Sequence, residues 1–254
     1  MFPSLAFRTL LSKEIRRFLS VWLQTIFTPV ITTGLYLVIF GVSLGKQINL
    51  GTGVSYLAFI VPGLIMMGIV NNAAQNTSSS IFISKLNSAL VDILVSPLSS
   101  LETALAYTLG GVARALLVGS ITWVISWPFE LILPQHPLFV IVIALATATF
   151  FSALGALVAI FADKFDHIGA FNTFILLPLI YLGGVFYSIH VLPPFWQTVS
   201  RVNPIFYMID GFRYGFLGRA DGSPFISLGI VCVFAVFILG LLTWVLKRGY
   251  RLRT

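Results

Sequence analysis

Long apolar stretches alternate with short polar ones along this chain, and the charges sit almost entirely in the short ones. Nothing is charged between Arg17 and Lys46, Lys46 and Lys85, Glu130 and Asp163, Asp166 and Arg201, or Asp221 and Lys247. Only Arg114 interrupts the stretch from Glu102 to Glu130. A helix rises about 1.5 Å per residue, so crossing a hydrocarbon core about 30 Å thick takes about 20 largely apolar residues. Each gap admits one such helix. The pattern predicts six spans, at Trp22–Leu44, Tyr56–Asn76, Leu101–Ser126, Leu138–Phe161, Gly169–Tyr187 and Phe225–Leu246. In lipid the backbone must satisfy its own hydrogen bonds, so all six are expected to be α-helical. The expected fold class is all-α integral membrane, with a single transmembrane domain over 1–254.

Three polar-interrupted segments do not span. In Pro3–Ser20, Phe7, Leu10, Leu11, Ile15 and Phe18 share one helical face at about 100° per residue, with Lys13, Arg16 and Arg17 opposite. Residues 1–21 are therefore expected to lie flat on the inner leaflet as an interfacial helix. The plainer alternative is a basic start that only fixes orientation. Glu14 falls on the apolar side of this wheel and needs Arg17, one turn on, or another helix as partner. Residues 81–97, Ile81–Pro97, are too short and polar to cross, and read as a cytoplasmic helix ended by Pro97. Leu86, Leu90 and Ile93 or Leu94 would form its apolar side, for a protein partner or for the chain's own spans. In 189–222, Pro193, Pro194 and Pro204 break helices, and Ile205–Leu217 is too short to span. A re-entrant outer element is expected there, in which Asp210 and Arg213, at i and i+3, could pair as local structure and no more.

Composition sharpens this picture. The chain is 58% hydrophobic and 9% charged with a mean hydropathy of +1.00, whereas soluble domains carry about 25% charged residues. That excludes an ordinary soluble domain, and so sparse a charge excludes a broad nucleic-acid surface despite the net +7. The basic excess reads as membrane orientation instead. Ten Lys and Arg fall on the side of the termini (Arg8, Lys13, Arg16, Arg17, Lys85, Lys164, Lys247, Arg248, Arg251, Arg253) and four on the other (Lys46, Arg201, Arg213, Arg219). By the positive-inside rule both termini are expected in the cytoplasm. The basic start runs into an apolar stretch long enough to remain as an anchor, so no cleaved leader is expected. The single cysteine, Cys232, rules out a disulfide framework.

Candidate chemistry is sparse. Gly41–Gln47 is one residue short of a phosphate-binding loop and lacks its hydroxyl, so this chain is not expected to hydrolyse ATP. Within Asn71–Ser80, Asn72 and Asn76 share a helical face, as do Asn71, Gln75 and Ser79. This stripe lines a translocation path, glues helices together, or marks a helix leaving the membrane. Arg114 is the one basic residue well inside a span, where a charge costs several kcal/mol (about 2.5–3.5 on insertion scales) without a partner or water. It either meets substrate, or snorkels, or pairs with Glu102 or Asp163.

One segment carries a family likeness. Leu182–Gly218, LGGVFYSIHVLPPFWQTVSRVNPIFYMIDGFRYGFLG, joins a fifth span to a proline-marked outer turn, Asn203-Pro204 and an Asp210-x-x-Arg213 element. With Val61–Met66 (VPGLIM) and Ile93–Ser99 (ILVSPLS), it resembles the membrane permeases of ABC-2-type exporters over nearly the whole chain. Most similar is their bacterial YadH-like branch, related to the NodJ and DrrB groups. The resemblance implies a type V exporter-like subunit of a bacterial inner membrane, working as a homodimer with two copies of a separate ATPase. It implies an interfacial helix at Leu5–Ser20 and a coupling helix at about Ser84–Ser96. Glu14, Lys85, Leu86, Leu90 and Asp92 are the candidates for contact with the ATPase. The path would lie at the dimer interface, mainly between second and fifth spans, with Asn72, Gln75, Asn76, Tyr181 and Phe186 as candidates. The outer lid would include Phe195, Trp196, Asn203, Asp210 and Arg213. This chain would hold no cofactor, with ATP and Mg on the partner.

The expected cargo is hydrophobic or amphipathic, drug-like or lipid-like. Alternatives are export of a lipid-linked glycan or lipo-oligosaccharide, a membrane scaffold that binds an ATPase without moving a substrate, and an intramembrane enzyme built from His136, His190 and Asp210.

Overall fold

The computed structural model describes residues 5–43 and 54–249, and among these every regular element is helical. Pro3, Leu44, Lys46, Gln47, Arg251 and Arg253, named above, lie outside the described residues. The chain begins with α1 (Leu5–Ser20) and α2 (Trp22–Tyr36), which runs on as wider π turns over Leu37–Ser43. Then follow α3 (Tyr56–Leu86), the short α4 (Ala89–Val95), α5 (Ser100–Ser126) and α6 (Pro137–Phe161). The fifth span is α7 (Phe165–Ala170), a π stretch (Phe171–Leu176) and α8 (Leu177–Leu182) in series. A single 3-10 turn (Ile189–Val191) leads into α9 (Pro194–Val202) and α10 (Pro204–Leu217), and α11 (Pro224–Arg248) closes the fold. Six of these segments are long and apolar enough to cross a membrane.

Local chemistry sets the ends. The Ser55 hydroxyl accepts from Ala58 N at the start of α3, and Ser99 and Glu102 form a reciprocal capping box on α5. Proline opens α6, α9, α10 and α11, where its missing N–H is harmless. Gly218 and Gly249, both at φ +66°, end α10 and α11 in the left-handed conformation that suits glycine.

Two boundaries differ from the sequence pattern. The second span continues ten residues beyond Asn76 to Leu86, a 31-residue helix. The polar run does not break it, because Ser78 and Ser79 donate back to Gln75 O and Asn76 O, while Thr77 bonds Ser152 Oγ of α6 at 2.6 Å. The helix expected over 81–97 is thereby split: its first turns belong to α3, and only Ala89–Val95 is separate, set off by Ser88 at φ 57°. The fifth span lies earlier than expected, ending at Leu182 because Gly183 and Gly184 (φ +85°) turn the chain. Pro178 sits just after its π stretch, where a widened turn accommodates a ring with no N–H to give.

The α3 helix is the hub, packed against α5 and α6, with α11 on the far side of α6 and both α1 and α2 against α5. Small residues permit the close crossings: a side chain at Gly155 would overlap the Ala74 carbonyl of α3, and one at Gly111 would overlap Thr77 and Ser152. A cluster including Leu10, Phe82, Leu90, Ile160, Leu242 and Leu246 joins α1 to the last turns of α11. Both described ends of the chain therefore meet at one end of the bundle, called here the terminus-bearing end. The first and fifth spans are the least covered, exposing Leu23, Phe27, Ile31 and Leu35 on one and Phe174 and Ile175 on the other.

Candidate functional site

Arg114 lies near the middle of α5, twelve residues before its end. Its Nε donates to Asn72 Oδ1 at 3.2 Å and its Nη1 to Asn76 Oδ1 at 3.4 Å. These amide partners on α3 replace the expected carboxylates, Glu102 and Asp163. The guanidinium faces a cleft of about 300 Å³ between α2, α3 and α5. Gln24, Thr28 and Thr32 line it from α2, and Asn71, Asn72 and Gln75 from α3. Sequence spacing of four puts the three α2 residues on one helical stripe, and all three are exposed. Asn76 is fully buried behind the cleft rather than lining it.

One end of this polar cleft meets aromatic rings. Tyr36 lines the cleft and its ring lies 5.5 Å from that of Phe186, which also sits 4.8 Å from Phe40 and 6.0 Å from Tyr181. The two sets of pathway candidates are thus brought into one neighbourhood, polar on the second span and aromatic at and just beyond the end of the fifth, with Tyr36 and Phe40 of the first span beside them.

Beneath the cleft, α1 is pinned to α3. Arg17 Nη2 donates to both the carbonyl and Oδ1 of Asn76 at 2.8 Å, while its Nε bonds Glu14 Oε2 at 3.3 Å. Glu14 is completely buried and packs on Gly110 of α5. The helix wheel's demand for a partner is met by Arg17, and a separate protein cannot reach this carboxylate. Glu14 is therefore corrected from an ATPase contact to an internal anchor of α1.

Other coupling candidates divide similarly. Lys85 Nζ donates to Ile160 O and Ala162 O, the carbonyls closing α6, where a cation is favoured. Leu90 is 1% exposed and packs inward, so it is corrected from a contact residue to a core residue. Leu86, Asp92 and, unanticipated, Val91 and Val95 are the exposed members of this surface.

At the opposite end, α9 and α10 are the two short helices of the segment expected to be re-entrant. Asn203 caps α10, accepting from Ile205 N, and its Nδ2 holds Leu179 O of the fifth span at 2.6 Å. Asp210 and Arg213 turn to separate backbone partners instead of to each other. Asp210 accepts from Asp221 N at 2.6 Å and Gly222 N at 3.1 Å, which closes the loop ahead of α11. Burial pushes the Asp210 carboxyl above its usual range, against the pull of those N–H groups and the Arg213 charge. Arg213 donates to Phe59 O and Gly184 O and lies 3.8 Å over the Phe59 ring. Phe195 and Trp196 of α9 are exposed. Among the described residues no three His, Cys, Asp or Glu gather as metal ligands.

Comparison with known proteins then decides the class. The pattern of the ABC-2 type transporter family matches residues 5–217. The inner membrane transport permease YadH of Escherichia coli (strain K12) is 45% identical over 250 residues, covering 98% of this chain and 97% of that one. The nodulation protein J of Sinorhizobium fredii is 24% identical over 216 residues (82% and 80% coverage), and that of Rhizobium meliloti 25% over 229 residues (84% and 82%). The chain belongs to the ABC-2 type transporter family. In this ABC-2 type transporter the match spans the α1 anchor, the polar cleft and the α9–α10 pair alike. Family membership supports a transport subunit, with an ABC ATPase as the general kind of partner. Sequence reasoning missed Gln24, Thr28, Thr32, Tyr36 and Phe40, although the four-residue polar spacing within an apolar span was the signal that marked the first three.

Proposed function

We propose that this chain is the permease subunit of an ATP-driven exporter in a bacterial inner membrane, with both termini in the cytoplasm. Two copies form the membrane path for a hydrophobic or amphipathic substrate, and two separate ATPase subunits dock at the terminus-bearing end. ATP and Mg are held by those partners. The observation that carries this reading is the exposed surface of Leu86, Val91, Asp92 and Val95 at that end, on a chain of the ABC-2 type transporter family. An apolar surface around one carboxylate, beyond the membrane-spanning length of α3, is suited to a soluble partner with a complementary basic rim.

ATP-driven approach of the two ATPases would press on α4, and α3, joined to it through Ser88, would carry the displacement along its length as a rigid body. The re-entrant pair would part at the other end. A second reading is a lipid-linked glycan or lipo-oligosaccharide as cargo, for which the neighbouring rings of Tyr36, Phe40, Tyr181 and Phe186 would offer apolar surface.

The test is co-purification of the tagged full chain with an ABC ATPase from its own cells, followed by ATP hydrolysis in lipid. A stable complex whose hydrolysis depends on the chain is expected. Asp92→Ala combined with Val95→Ala should cut that hydrolysis while leaving folded yield unchanged. A chain that captures no ATPase, or a double variant with full coupling, would overturn the proposal.

A further inference from the structure

We infer that the cleft beside Arg114 is a binding site for the anionic headgroup of an amphiphile, a phosphate or a carboxylate. The amphiphile's apolar part would lie along Tyr36, Phe40, Tyr181 and Phe186.

Charge balance is the first argument. The cluster holds two half-buried guanidinium groups, Arg17 and Arg114, and one buried carboxylate, Glu14, which Arg17 engages directly. Arg114 is met by amide oxygens, and the charge acting on it is the like charge of Arg17. A cation near the middle of a spanning helix is retained only where something compensates it. The residues lining the cleft include no carboxylate to do so.

Donor balance points the same way. A guanidinium carries five N–H donors, and two of Arg114's are used by Asn72 and Asn76. Amides of Gln24 and Gln75 face the same space. Surplus donors around one fixed cation suit an oxyanion, which accepts several hydrogen bonds, and a guanidinium matches phosphate or carboxylate with two parallel bonds. A cationic headgroup would be repelled, and a neutral one would leave the charge uncompensated.

Shape completes the argument. A space of about 300 Å³ is at the lower end of small-ligand pockets and takes a headgroup, not a whole amphiphile. Tyr36 belongs to both the cleft and the aromatic group, so a ligand with its head on Arg114 has aromatic rings at the end of the same cleft for its tail. The headgroup can come from a bilayer lipid or from transported cargo. Only the second source rests on the exporter proposal, since the binding itself needs no ATPase.

The experiment measures binding of dodecyl phosphate, dodecyl maltoside and dodecyltrimethylammonium, which share one tail, to the full chain in nanodiscs of zwitterionic lipid. Dodecyl phosphate should bind at least about tenfold more tightly than the other two, the effect of one charge-assisted hydrogen-bonded pair. Arg114→Gln should abolish that preference and Arg114→Lys should keep much of it, while Arg16→Gln on the exposed face of α1 should change nothing. Equal binding of the three headgroups by the unaltered chain would overturn the inference without recourse to any variant. So would an undiminished preference in a folded Arg114→Gln chain. Adding phosphatidylglycerol to the nanodisc separates the sources: displacement of dodecyl phosphate supports a bilayer lipid as occupant, and persistence supports a distinct anionic cargo. If no ATPase is captured yet the preference holds, the exporter proposal fails and the anionic site stands.

Discussion

At the scale of single residues, the buried charged side chains of α10 act as staples on backbone. Asp210 is fully buried, and its two oxygens hold consecutive N–H groups of the loop that launches α11. Alanine there would strand both donors in a site water reaches poorly, at about 1–3 kcal/mol. Asp210→Ala should therefore lower the midpoint of thermal unfolding in detergent by several degrees. Asp210→Asn, which keeps one acceptor oxygen, should lose less. If both variants unfold with the unaltered chain, the loop is held by something other than this carboxylate. Glu14 shows what one sequence can and cannot say at this scale. Its position on an apolar face announced a buried carboxylate in need of a partner, and Arg17 was within one turn. Arg114 announced only its own cost, because its amide partners Asn72 and Asn76 lie 42 and 38 residues away and become neighbours only when α3 packs on α5.

Elements add a second level, at which period and length matter more than identity. The six spans were legible because lipid demands long charge-free stretches, and the structure places a suitable helix in each. The end of the second span and the bounds of the fifth were not. Hydropathy registers where a helix leaves the apolar region, whereas the helix itself continues as long as its polar side chains find carbonyls or neighbours, as Thr77, Ser78 and Ser79 do. The division of 81–97 into the end of α3 and a separate α4 follows from that difference. Helix crossings were equally hidden, since a glycine in a span looks the same whether it faces lipid or a neighbour. Gly155 faces the Ala74 backbone of α3, at the most extensive crossing in the bundle. Gly155→Val should force the two helices apart and destabilise the chain by about 1–3 kcal/mol, read as a lower folded yield and an earlier thermal transition. Gly240→Val, on α11 with open space around it, should be near neutral and serves as the matched control. Equal behaviour of the two would mean that the α3–α6 contact tolerates a side chain.

For the whole molecule, the polarity of the thinly covered spans suits a second copy at a particular face. The outward surface of α11 is uniformly apolar, with Val233, Val236, Phe237 and Trp244 exposed, as a lipid-facing helix requires. The first span differs, because among its exposed apolar residues runs the polar row Gln24, Thr28 and Thr32 beside exposed Gln75. Hydrocarbon is a poor neighbour for amides and hydroxyls, so this side belongs against protein or a watery space. The fifth span, with Phe174 and Ile175 bare and a π stretch, is the other thinly covered member. Two copies meeting through first and fifth spans would enclose both surfaces and leave α11 to lipid. The single cysteine makes this testable, because Cys232→Ser gives a chain without thiols. In that background, Ile31→Cys and Phe174→Cys should yield a cross-linked dimer in native membranes with a short bifunctional thiol reagent, and Val236→Cys on α11 should not. Cross-linking at Val236 alone would put the second copy on the opposite face and leave the polar row of the first span to water. Cross-linking at none of the three, with each cysteine shown to react with a monofunctional reagent, would remove the argument for pairing through these spans.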